Sequence, residues 1–142
     1  MRNSLLLSVL MLFYSCGTTG HIVFYNFDAN KYDVEREILN ILNRDSIYIV
    51  PDKWREHIEG DYFERIYIYF KSNPEELYQI GFTGDAKTWK RSMSSKLGLI
   101  SIYNGKQFLY ETDLSNKEQK RIQNRLEKEL LSKIKYTFKR SN

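Results

Sequence analysis

The chain has 142 residues and a formal net charge of +4, enough for one apolar core and too few for two comfortable domains. A single cysteine excludes an intramolecular disulfide, so the fold must stand on that core alone. Eleven tyrosines and eight phenylalanines against seven glycines and two prolines exclude a low-complexity or extensively disordered chain.

Residues 1–16 have the form of a secretory leader. Arg2 supplies the positive start, and residues 5–13 give an apolar stretch of about ten residues. A helix crossing a hydrocarbon core of about 30 Å needs about 20 apolar residues, so this run is too short to span. Cys16 follows three positions after its end. The segment Leu12, Phe13, Tyr14, Ser15, Cys16, Gly17 resembles the lipobox of bacterial lipoproteins, matching at Ser15 and Cys16 and departing at Phe13 and Tyr14. The resemblance implies that the Cys16 thiol receives a diacylglyceryl group, the leader is cut before it, and the new amino group is acylated. It implies a membrane-anchored chain, with the outer membrane favoured because no Asp follows Gly17 and its periplasmic face favoured because no acidic cluster follows Cys16 closely. The organisation expected is a signal peptide over 1–15, a lipidated cysteine and tether over 16–20, and a single domain over 21–142. A cleaved soluble protein and an uncleaved anchor are the competing readings.

Residues 21–27 (HIVFYNF) are expected as a first strand or packed arm. Asp28 or Asn30 can cap a helix carrying Val34, Ile38, Ile41 and Leu42 at helical spacing, ending near 44–46. Residues 47–50 form a short β-type run stopped by Pro51, and 52–61 is polar, with a helical turn expected around 54–58. Residues 62–71 give the clearest strand, with Ile66, Ile68 and Phe70 on one face and Arg65, Tyr67 and Tyr69 on the other. A turn around Asn73 and Pro74 returns the chain into a strand over 77–83. Residues 88–96 are expected as loop or short strand. Asn104-Gly105 is the signal for a two-residue type I′ hairpin, which would pair Tyr103 with Lys106 and Ser101 with Phe108.

Ser115 and Glu118 form a capping box. The stripe Ile122, Leu126, Leu130, Leu131, Ile134 and Phe138 then predicts one long helix. The expected architecture is α+β: an antiparallel meander of four or five strands flanked by an N-terminal and a long C-terminal helix, both on one face.

Chemistry is sparse. His57, Glu59 and Asp61 are metal-ligand types in a short span, but they fit no HExxH or EF-hand spacing. The serines at 92, 94 and 95 lack a lysine three places on, and no glycine-rich phosphate loop is present. No cofactor is expected. Residues 115–142 carry nine Lys or Arg against three acids, a basic end expected as a solvated helix face or a surface attracted to anionic lipid. Nucleic acid is not expected as a partner of an exported chain. Tyr67 and Tyr69 are the candidate interaction face, because tyrosine combines apolar area with a polar tip. The function expected is a non-enzymatic, membrane-anchored module that binds an envelope macromolecule. The alternatives are a metal-dependent or other hydrolase around His57, Glu59 and Asp61, and a structural envelope component.

Overall fold

The computed structural model describes residues 20–58 and 64–141. Over these residues the chain is α+β, with six antiparallel strands in one sheet and four helices. The strands are β1 (Val23–Phe27), β2 (Arg65–Phe70), β3 (Glu76–Phe82), β4 (Ser95–Tyr103), β5 (Phe108–Leu109) and β6 (Phe138–Ser141). The helices are α1 (Lys31–Arg44), α2 (Asp52–Arg55), α3 (Ala86–Arg91) and α4 (Asn116–Glu129). The sheet order is β2-β3-β4-β1-β6. β5 pairs with the last two residues of β4, beyond the stretch that β1 uses.

Both long helices form where their caps place them. The Asn30 carboxamide oxygen accepts from the Tyr32 amide at 2.9 Å, and Asp33 adds a negative charge in the first turn of α1. The Ser115 hydroxyl accepts from the Glu118 amide at 3.3 Å and starts α4. Val34, Ile38 and Ile41 of α1, with Ile122 and Leu126 of α4, join one core with Tyr25, Phe27, Ile68, Tyr78, Ile80 and Leu99. The two helices therefore cover the same sheet face.

The C-terminal helix is shorter than its apolar stripe suggests. It ends at Glu129, a 3-10 turn (Leu131–Lys133) follows, and Phe138 starts β6. Leu130, Leu131 and Ile134 are buried all the same. The physical reason lies in β1. A helix continued to Phe138 would leave the outer edge of β1 without a backbone partner. The reversal pairs Phe138 with Phe27 and packs its ring against Tyr25 at 5.7 Å.

Three other expectations change locally. Residues 47–50 are not a strand. Asp45 caps a 3-10 turn (Ser46–Tyr48), Tyr48 is buried against Phe70, and its hydroxyl donates to the Glu129 carbonyl at 2.5 Å. Residues 86–91 are helical because the Asp85 carboxylate accepts from the Thr88 amide at 2.8 Å. The Asn104-Gly105 hairpin closes over four residues instead of two. Gly105 has φ of 90°, Asn104 does not adopt positive φ, and the Asn104 carboxamide oxygen accepts from the Lys106 and Gln107 amides at 3.0 Å each. That side-chain turn competes with the type I′ turn, which needs positive φ at both central residues. Tyr103 therefore faces Phe108 and Ile102 faces Leu109. The slip is two residues, so every side chain keeps its face.

One buried charge cluster fastens α4 to the β2–β3 hairpin. Glu76, only 2 % exposed, opens β3 on the core face. Its carboxylate accepts from Arg125 at 2.8 Å, from Arg121 at 2.5 and 3.1 Å, and from the Tyr78 hydroxyl at 3.1 Å. Arg125 also donates to the Ser72 carbonyl at 2.8 Å and to the Pro74 carbonyl, and it lies 5.0 Å from the centre of the Phe70 ring. Burial and the neighbouring Glu76 charge raise the Tyr78 phenol well above its ordinary pKa.

Removing one partner of such a cluster strands the others. Glu76→Ala is expected to lower the stability by about 3–5 kcal/mol, read as a shift of the urea midpoint, while Glu76→Leu combined with Arg125→Met costs much less. Equal losses for the two variants would mean that the charges themselves, not their pairing, matter at this position.

Candidate interaction surface

The sheet face away from α1 and α4 is organised in cross-strand rows. In an antiparallel sheet, directly paired residues share a face. The lowest row holds Tyr69, Leu77, Tyr103 and Phe108. Next come Tyr67, Gln79 and Ser101, then Arg65, Gly81, Gly98, Phe24 and Ser141. The last row is Lys96, Asn26 and Lys139.

The two residues singled out as an interaction face fare differently. Tyr69 is 4 % exposed and lies under α2. Trp54 packs edge-on against Tyr69 at 5.5 Å and against Tyr103 at 5.4 Å. The Tyr69 hydroxyl donates to Glu75, and burial together with that carboxylate pushes the phenol up to about 12. The lower aromatic row is therefore a second, smaller core and not an open platform. A four-residue helix too short to show a hydrophobic periodicity supplies its lid, which is why the sequence alone suggested exposure. Tyr67 is half-buried, and its hydroxyl accepts from the Gln79 carboxamide at 2.9 Å. Gln79 in turn accepts from Ser101 at 2.7 Å, so the middle row is a closed hydrogen-bonded chain.

Tyr67 also lines a groove of about 440 Å³ with Leu39, Leu42, Ile49, Val50 and Ile58. Leu39 is 42 % exposed and Ile49 is 62 % exposed. Apolar side chains gathered on the surface in this way mark contact sites more often than isolated ones do. The signal was present in the sequence: Leu39 sits off the buried stripe of Val34, Ile38 and Ile41, where a polar residue is usual.

His57 stacks on Tyr103 at 4.1 Å and meets the Phe108 edge at 6.1 Å, so its ring closes the aromatic cluster. Glu59, Asp61 and Cys16 lie outside the described residues. Among the described residues no group of three or more His, Cys, Asp or Glu is placed to hold a metal ion, and no helix is long and apolar enough to cross a membrane.

The basic C-terminal segment is partly neutralised from within. Arg121 and Arg125 serve Glu76, Arg140 pairs with Glu127 at 2.7 Å, and Lys133 donates to the Tyr48 hydroxyl at 2.9 Å. Lys31 is a cation the sequence reading overlooked. It is 3 % exposed, pairs with Glu35 at 2.7 Å, and lies 4.6 Å from the centre of the Trp89 ring.

His21, two residues before β1, is pinned to the sheet. Its ring stacks on Phe24 at 4.5 Å and covers Gly98, where an added Cβ would come within 2.3 Å of the imidazole. Burial holds the His21 pKa below 6.5, with Lys96 and Arg65 adding to the depression and Glu111 opposing it. No family model, no curated protein and no solved structure matches this chain.

A depressed histidine stabilises the fold above its unfolded pKa of about 6.5, and that contribution is lost as pH falls from there through the folded value. In an NMR titration His21 is expected to show a midpoint below 6.5. Gly98→Ala, which displaces the ring, should bring the midpoint back toward 6.5. An unmoved midpoint would mean that the ring is not held on Gly98.

Proposed function

We propose that this chain is a lipid-anchored envelope protein, tethered through Cys16, which binds another macromolecule and has no catalytic role. The support for the anchor is the lipobox-like segment around Cys16, at the end of an apolar run too short to span a bilayer. One acyl chain binds a membrane only marginally and two hold it stably, so the modification found in that family would make the attachment lasting. Gly17, Thr18, Thr19 and Gly20 separate the anchor from His21, a short spacer that keeps the domain close to the bilayer.

The support for binding is the groove of Leu39, Ile49 and Tyr67. It gathers exposed apolar area at the flank of the sheet, next to the tyrosine that composition singled out. Its apolar walls suit a protein segment that buries one or two large side chains. Tyr67 supplies a polar tip at the rim. Tyr69 has no part in this contact, because Trp54 already covers it.

Two measurements test the two halves. Intact-mass analysis of the protein from a lipidating bacterial host is expected to show an N-terminus at Cys16 carrying the acyl groups, and Cys16→Ala should retain the leader and carry no lipid. A mature chain starting elsewhere, or bearing a free thiol at 16, removes the anchor. For the groove, a photo-crosslinker at Ile49 should give a discrete adduct in the envelope fraction, lost in Leu39→Glu. That surface change should leave the stability within about 0.5 kcal/mol. A stable, correctly anchored protein that yields no adduct refutes the binding half.

A further inference from the structure

We propose that the end of the domain where α3 runs into β4 is a lipid-contact tip. Its occupant is the anionic headgroup layer of the bilayer to which Cys16 tethers the chain, and the inference rests on that anchored reading. Residues 86–110 contain no aspartate or glutamate, whereas Lys87, Lys90, Arg91 and Lys96 are all exposed. The sheet register places Lys96 beside Asn26 and Lys139, so the basic surface continues across three strands. At its crown stands Met93, which is 83 % exposed.

The crown is held in place. The Asn30 carboxamide donates to the Trp89 carbonyl at 2.6 Å and to the Ser92 carbonyl at 2.8 Å, tying the loop to the start of α1. The Ser92 hydroxyl donates to the Ser94 carbonyl at 2.8 Å across Met93. An apolar side chain presented on a braced turn, with exposed cations before and after it in the chain, combines the two attractions of an interfacial contact, although the exposed Asp28 and Asp85 at the same end reduce its net charge. The side chain enters the headgroup boundary, and the cations meet anionic lipid.

The tether permits this pose. Five peptide steps from Cys16 to His21 reach at most about 18 Å. The five residues of β1 cover about 17 Å. With β1 lying along the membrane plane, the root of the tether at one end and the tip at the other can touch the same bilayer. Anchor and tip would then fix the orientation of the domain and turn the α1 side of the sheet, with its groove, toward the periplasm.

The test uses the full chain with Cys16 acylated, so that Met93→Cys supplies a free thiol for an environment-sensitive fluorophore. The labelled protein is placed in phosphatidylcholine vesicles with and without phosphatidylglycerol. A blue-shifted probe, quenched by headgroup-bound spin labels only when phosphatidylglycerol is present and released by high salt, is expected. Lys90→Glu with Arg91→Glu and Lys96→Glu should abolish the response, and a probe at Leu39→Cys should stay solvent-like. A solvent-like probe at 93 in both vesicles, with Cys16 shown by mass to be acylated, overturns the tip and leaves the anchor standing. An unmodified thiol at 16 overturns the anchor itself. The same probe response to DNA in place of vesicles would overturn the assignment to lipid.

Discussion

Glu76 is a carboxylate sealed between a sheet and a helix, and its burial is tolerable only because two arginines of α4 reach it. An isolated buried charge is among the most unfavourable groups a fold can contain. The cluster therefore imposes a condition on everything around it. α4 must lie at one height over β3, with Arg125 able to span from Glu76 to the carbonyls of Ser72 and Pro74. That condition fixes the hairpin loop to the helix and, through the register of β3 with β4, positions the whole second face. Apolar contacts alone would hold α4 on the sheet but would allow it to slide.

The second face divides by what covers it. Its lowest row is closed by Trp54 and His57, so the aromatic side chains there contribute stability and are not presented to a partner. The upper rows contain two glycines side by side, Gly81 and Gly98, and the space is taken by Ile100 and His21. Exposed chemistry is thereby pushed to the margins. Apolar groups collect in the groove beside β2, and cations collect where α3 meets β4. A small domain with one sheet face under its helices and the other closed in its lowest row has mainly its edges and ends left for contacts, and both the groove and the basic tip lie at such margins.

Much of the architecture was readable in the chain. The caps at Asn30 and Ser115, the alternation from Arg65 to Phe70, and the spacing of Val34, Ile38 and Ile41 are local signals, and each element formed where its signal stood. Three of the failures share one cause: a local preference lost to a partner distant in sequence. The stripe through Phe138 reads as helix, yet the open edge of β1 drew Phe138 into a strand. Residues 47–50 read as strand, yet Tyr48 found a better position against Phe70 and the end of α4. Tyr69 read as exposed because its covering residue, Trp54, lies on a single turn of helix with no periodicity to announce it.

The chain alone therefore determined the fold class, the two long helices, the β2–β3 hairpin and the segment at Cys16 that resembles a lipobox. Each depends on neighbours within a few residues, where geometry follows directly from side-chain chemistry. Only the tertiary structure decided that Tyr69 is core while Tyr67 borders a groove, that Arg121 and Arg125 are committed to Glu76, and that Lys96, Asn26 and Lys139 form one row. Exposure and charge pairing depend on which distant segments meet, and those meetings are set by the closure of the whole core.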